Sequence, residues 1–220
     1  MVAAVRWEKA QVITITFDDH GFGKRLPVLL QQLQRPSALL AVLGRDAANQ
    51  YRAHFRMKNR TPNKLGGKRT NFWRGVADSV QAPRLEGGGT AVVISIPHPS
   101  IAQKVKGGII RPKRVKFLTI PVSPEAYGRT ARSRNGGPGT FEAETGLKLV
   151  FLKVGDHNAV LATHRGGGMQ VEYILTASVN QDPDPTALPD PELVAARLLQ
   201  RAEGYVERKL AEAAGKQGAA

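Results

Sequence analysis

Two apolar periods divide this chain, and any fold it adopts must accommodate both. From Pro36-Ser37 onward, Leu39, Leu40, Leu43, Ala47, Tyr51 and Phe55 recur at helical spacing, while Arg45, Asp46, Gln50 and Arg52 fall elsewhere on the wheel. From Thr90 the period drops towards two. Thr90–Ile96 is a β-branched run, and Lys116–Val122, Thr140–Glu144, Leu147–Val154, Val160–His164 and Val171–Val179 alternate with breaks that contain Gly or Asp. Helices gathered early and a meander gathered late predict an α+β fold: an antiparallel β-sheet with N-terminal helices packed on it, and a C-terminal helix after a Pro-rich linker.

Punctuation completes the outline. Gln11–Phe17 reads as a strand, Asp18-Asp19-His20-Gly21 as a turn, Phe22–Leu33 as a short helix and Asn71–Val80 as a second short amphipathic helix. Gly107-Gly108 and Pro112 make Gln103–Lys116 an irregular excursion, and Pro124–Pro138 has the composition of a flexible loop. The expected organisation is one α+β domain over 1–180, with basic excursions at about 56–71 and 103–138, then a linker and helix or arm over 181–220. Packing of that last helix on its own sheet and extension across a neighbour both fit its pattern. The first residues lack the apolar run of a secretory signal, and no window approaches the ~18 apolar residues of a membrane span, so a protein made in the cytoplasm is expected.

The chain carries 32 Lys+Arg against 18 Asp+Glu, a formal charge of +14, and the excess is local. Arg52–Arg74 holds eight bases and no acid; Lys104–Arg134 holds nine bases against Glu125 alone. A surface facing a polyanion accounts for such concentration, because neutralising phosphates releases counterions. A solvated or partner-facing loop accounts for it equally.

Catalytic chemistry finds little footing. With no cysteine, disulfides, thiolate catalysis and cysteine-based metal sites are excluded. The five histidines show no H-x-x-x-H or H-E-x-x-H spacing, and Asp18-Asp19-His20, which could be part of a metal-dependent nuclease, is explained by turn chemistry. Gly87-Gly88-Gly89, Gly107-Gly108 and Gly166-Gly167-Gly168 lead into strands, whereas a phosphate loop opens a helix. Ser95 and Ser100 flank His98 with no orienting acid, and no G-x-S-x-G is present. The basic windows match no zinc finger, helix-turn-helix or RNA-recognition pattern. Aromatic residues interleave with them, but Phe72 and Trp73 stand at core spacing and Phe117 in a strand. No enzyme, cofactor or metal is therefore expected.

Two segments carry a resemblance. Thr61–Val80, a turn rich in Asn, Gly and Lys followed by a Phe-Trp helix, and Gly107–Gly128, with a Gly-Gly, the basic run Ile110-Arg-Pro-Lys-Arg-Val-Lys-Phe-Leu-Thr-Ile-Pro121 and the close Glu125-Ala-Tyr-Gly128, resemble phage virion-morphogenesis proteins of the minor tail protein Z type. The likeness spans about Arg52–Thr130 and does not reach the C-terminal linker and helix.

This resemblance implies a tail completion or neck subunit of a tailed bacteriophage, with a homo-oligomeric, commonly six-fold ring at the head-proximal end of the tail. The implied partners are the tail tube or terminator, the head–tail connector or portal, and packaged DNA by non-specific contact; no membrane is involved, and the implied location is the virion. A tail terminator ring is the neighbouring alternative, and a cytoplasmic, sequence-independent DNA-binding protein the alternative of another class. In a closed ring every subunit presents the same patch, so a basic loop becomes a positive collar. The residues expected to face DNA, the lumen or a neighbouring subunit are Arg111, Lys113, Arg114, Lys116, Arg129, Arg132 and Arg134, with Lys64, Lys68 and Arg69 from the first window.

Overall fold

The computed structural model of the chain describes residues 2–7, 13–18, 36–131, 139–154 and 158–217. In chain order the elements are β1 (Val2–Trp7), β2 (Ile13–Asp18), α1 (Pro36–Arg60), α2 (Phe72–Ser79), β3 (Arg84–Glu86), β4 (Ala91–Ile96), α3 (Ile101–Lys106), β5 (Gly108–Ile110), β6 (Leu118–Pro121), α4 (Phe141–Thr145), β7 (Val150–Val154), β8 (Asn158–Arg165), β9 (Gly168–Thr176), β10 (Val179–Gln181) and α5 (Pro191–Gln217). The architecture is α+β with antiparallel sheets throughout the named strands. The expected helix over Phe22–Leu33 and the Asp19-His20-Gly21 part of the expected turn lie outside the described residues.

Contacts divide the chain into two compact units, and the division departs from the expected boundary at 180/181. One unit gathers the described residues up to Asn59, Phe72–Lys106 and those from Pro183 onward; the other gathers Arg60–Asn71 and those from Gly107 to Asp182.

In the first unit a sheet of order β1-β2-β4-β3 carries the helices. The stripe read from the sequence is the buried one except at Leu40, which is half-buried: Leu39, Leu43, Ala47, Tyr51 and Phe55 of α1 join Val76 and Ala77 of α2, Ile94 and Ile96 of β4, and Ile101 of α3 in one core. Gly44 lets α1 approach β4, since a Cβ there would lie 2.5 Å from Val92 Cγ1. The Phe55 and Trp73 rings stack with centroids 6.0 Å apart. Helix α5 belongs to this core through Val194, Leu198 and Ala202, so it is not a free arm. Apolar residues three and four apart give it a continuous inner stripe that only burial satisfies.

The Pro-rich segment before α5 is pinned as well. Lys58 Nζ on α1 donates to Asp184 Oδ2 at 3.1 Å, to the Thr186 carbonyl at 2.8 Å and to Thr186 Oγ1 at 2.7 Å. His54 Nε2 donates to the same carbonyl at 3.0 Å. The Asp184 amide donates to the Lys104 carbonyl at 2.9 Å. Asp190 Oδ1 then accepts the Glu192 amide at 2.8 Å, capping a helix that Pro191 opens.

In the second unit a sheet of order β6-β9-β8-β7 packs one face on Ala126, Ala131, Phe141 and Leu149, with Ala159, Leu161, Tyr173 and Leu175 as its own contribution. Thr140–Glu144, expected as a strand, is the N-cap and first residues of α4. Thr140 Oγ1 accepts the Ala143 amide at 3.3 Å, Glu142 and Glu144 occupy the first turn, and Gly146 closes the helix at φ 71°. The excursion from Gln103 also carries more order than expected: α3 spans its start, and β5 pairs with β10 in the register Val179↔Ile110. The strand expected at Val171–Val179 is two strands, β9 and the start of β10.

Candidate functional site

The segment Ser123–Arg129 is the hub of the second unit. Between Leu161↔Tyr173 and Ala162↔Val171 the β8–β9 register shifts by one residue, so Glu172 is the extra residue of a bulge. Its carboxylate is fully buried. It accepts the Ser123 hydroxyl and, at 2.9 Å, Thr163 Oγ1, and it pairs with Arg165 Nη2 at 3.4 Å. Such partners are what makes a buried carboxylate tolerable. Ser123 Oγ in turn accepts the Ala126 amide at 3.0 Å. The Tyr173 hydroxyl donates to the Ala126 carbonyl at 3.2 Å, and burial pushes this phenol up to about 12.

Onto this hub folds the turn of the first basic window. Asn63 Oδ1 accepts the amides of Leu65 and Gly67 at 3.0 and 3.3 Å, and its Nδ2 donates to the Gly67 carbonyl at 2.9 Å, an Asx-type closure. Gly67 is pressed against Ser123–Arg129 so closely that a Cβ would lie 2.0 Å from the Pro124 carbonyl oxygen. Gly128, at φ +75°, leaves no room for one beside the Lys68 carbonyl, 2.7 Å away. Lys68 Nζ and Arg129 Nε each meet one oxygen of Glu144, both at 2.8 Å. These hydrogen bonds, Lys68 first and Arg129 second, hold the Glu144 carboxyl below the ordinary glutamate range. Arg129 also donates to the Glu125 carbonyl.

Lys68 and Arg129, both expected at the DNA or subunit surface, are therefore engaged inside the unit. Arg69 is exposed and donates to the Arg60 carbonyl at 3.3 Å; Lys64 is exposed. Arg132 and Arg134 lie outside the described residues. Elsewhere in the first window, Arg52 Nη2 donates to the Val80 carbonyl at 2.8 Å, and Lys58 lies over the Trp73 ring at 4.5 Å while it pins Asp184. Much of that window's positive charge holds the chain together.

The second window differs. Residues 111–117 leave β5, which is hydrogen-bonded to β10, and return as β6, hydrogen-bonded to β9 in the register Leu118↔Thr176. Only Ala177 and Ser178 separate β9 from β10, so both feet of the excursion stand on consecutive strands. Pro112 fixes its own φ at the start of the loop. Arg111, Lys113, Arg114 and Lys116 are all exposed, and none of them forms an ion pair or hydrogen bond among the described residues. Lys116 Nζ has its neighbour's Phe117 ring at 5.4 Å. The structure thus brings four of the ten nominated residues into one bare cationic loop. Two exposed apolar side chains of this stretch, Ile109 at 63% and Val115 at 66%, were not singled out by sequence reasoning. Their alternation with bases inside a strand-like run reads as core.

Among the described residues no group of three or more His, Asp or Glu could hold a metal ion, and no helix is long and apolar enough to cross a membrane. No family model, no curated protein and no solved structure matches the chain.

Proposed function

We propose that this chain is a structural virion protein of a tailed bacteriophage, a subunit of the tail completion or neck ring that joins the tail to the head connector. The observation that carries the reading is the loop of Arg111, Lys113, Arg114 and Lys116, four exposed cations on a two-footed mount that form no ion pair among the described residues. Cyclic repetition turns this modest patch into a ring of charge, whether the ring meets packaged DNA or an acidic protein. The Ser123–Arg129 hub, where Gly67 and Lys68 of one resembling segment meet Pro124 and Gly128 of the other, lies in the same unit as that loop. The role proposed is one of shape and contact.

Changing Lys113, Arg114 and Lys116 together to Ala tests the role. Virion assembly or DNA retention fails if the loop acts as proposed, and unchanged particles contradict it. A tail terminator ring subunit is the alternative placement for the same loop. The same four exposed cations also favour a sequence-independent DNA-binding protein with no virion role. That reading requires tight duplex binding with a log–log salt slope of about −0.9 per phosphate contacted, whereas a ring subunit co-purifies with particles and binds free DNA weakly.

A further inference from the structure

Bare cations alone suit phosphate, but the excursion also exposes Ile109 and Val115, and a phosphate backbone has no use for apolar tips. A protein surface that is acidic and partly apolar does. The chain carries one. On α5 the inner stripe of Val194, Leu198, Ala202 and Val206 is buried. On its outer flank Glu192, Ala196, Leu199, Glu203 and Glu207 recur every three or four residues, with Leu193 beside them, over about 22 Å at 1.5 Å rise per residue. Leu193 is 59% and Leu199 37% exposed. The Glu192, Glu203 and Glu207 carboxylates make no ion pair or hydrogen bond among the described residues. The helix's arginines lie on another flank: Arg197, Arg201 and Arg208 line a polar groove with Asp46 and Gln50, and Arg201 Nε is 2.7 Å from Asp46 Oδ2. They therefore do not neutralise the glutamate stripe.

We propose that the 109–116 excursion of one copy docks on the glutamate stripe of α5 in the next copy, Ile109 and Val115 against Leu193 and Leu199, and Arg111, Lys113 and Arg114 against Glu192, Glu203 and Glu207. This rests on the ring reading, and names the partner of its basic loop. The two patches are different surfaces of one chain, so the contact is heterologous, the type that propagates around a closed ring. Opposite charges fix its register and speed its formation, while the apolar residues supply area removed from water.

The test uses the full-length chain and native mass measurement at low ionic strength. Reversing the loop (Arg111, Lys113 and Arg114 to Glu) or the stripe (Glu192, Glu203 and Glu207 to Lys) abolishes the oligomer at concentrations where the unmodified chain assembles. All six side chains are exposed, and circular dichroism melting verifies that each variant folds. Mixing the two variants restores oligomers containing both in equal number, because each reversed loop then meets a reversed stripe and each native loop a native one. Reversed variants that assemble normally overturn the proposal; so do a mixture that stays monomeric, which places any pairing within one chain, and an unmodified chain monomeric throughout. Loss of DNA binding without loss of assembly gives the loop to nucleic acid and overturns it too. Absence of the chain from particles, a separate measurement, sinks the virion reading while leaving this contact standing.

Discussion

Lys68 Nζ stands 2.8 Å from Glu144 Oε1, joining the first basic window to the acidic first turn of α4, and Arg129 takes the other oxygen at the same distance. The carboxylate's pKa is depressed, so the stability it confers is present above the ordinary glutamate value of about 4.3 and is lost as pH falls through the lower folded value. Glu144→Gln should lower the melting temperature at neutral pH, and the difference from the unmodified chain should shrink in acid. Melting both proteins across that range checks the sign; an unchanged difference at low pH contradicts it.

Gly128 tests the seat of that turn. A methyl group there meets both a left-handed backbone and the Lys68 carbonyl. Gly128→Ala should cost about 1–2 kcal/mol from the backbone alone, with more from the clash. Chemical denaturation reads the loss, and hydrogen exchange should localise it to 60–71 and 123–129.

Helix α5 as part of the core, not an appendage, makes a paired prediction. Leu198→Ala, at a fully buried site, should destabilise by about 2–5 kcal/mol. Leu199→Ala, one residue on and exposed, should change stability by about 0.5 kcal/mol or less. Truncation from Asp182 onward should unfold the first unit; a truncated chain that melts cooperatively at the original temperature would restore the arm.

His54 and His98 both have pKa values lowered by burial. For His54 the hydrogen bond to the Thr186 carbonyl opposes the shift and does not cancel it. A lowered base binds protons more readily when unfolded, so stability is full above the unfolded value of about 6.5 and declines as pH falls through it towards the lower folded value. His54→Gln should flatten part of that decline in a pH series of unfolding curves.

What could be read from the residues, and what could not, follows from the range of the interactions involved. Helix α1 was legible because Pro36 opens it and Leu39, Leu43, Ala47, Tyr51 and Phe55 form a stripe with no competing pattern. The strand at Ala91–Ile96 was legible as a β-branched run. Thr140–Glu144 misleads because Phe, Glu, Ala, Glu alternates as a strand does over four residues; the Thr140 cap and Gly146 stop decide the matter. Strand β1 went unread because Val2-Ala-Ala-Val-Arg-Trp7 is short of β-branched residues, and its ladder to β2 supplies the hydrogen bonds. At the site, the basic excursion was visible as composition. That Lys68 and Arg129 close on Glu144 while Arg111, Lys113 and Arg114 stay bare is a fact of pairing across 76 and 15 residues, which no local pattern encodes. Deep burial of Glu172 is likewise set by a bulge that only the register of two strands defines.

The decisive measurement is a reconstruction of tailed particles assembled with this chain. A closed ring of this chain is expected at the head-proximal end of the tail, with residues 109–116 of each subunit lying against α5 of the next. Complete tails and necks built without this chain would contradict it.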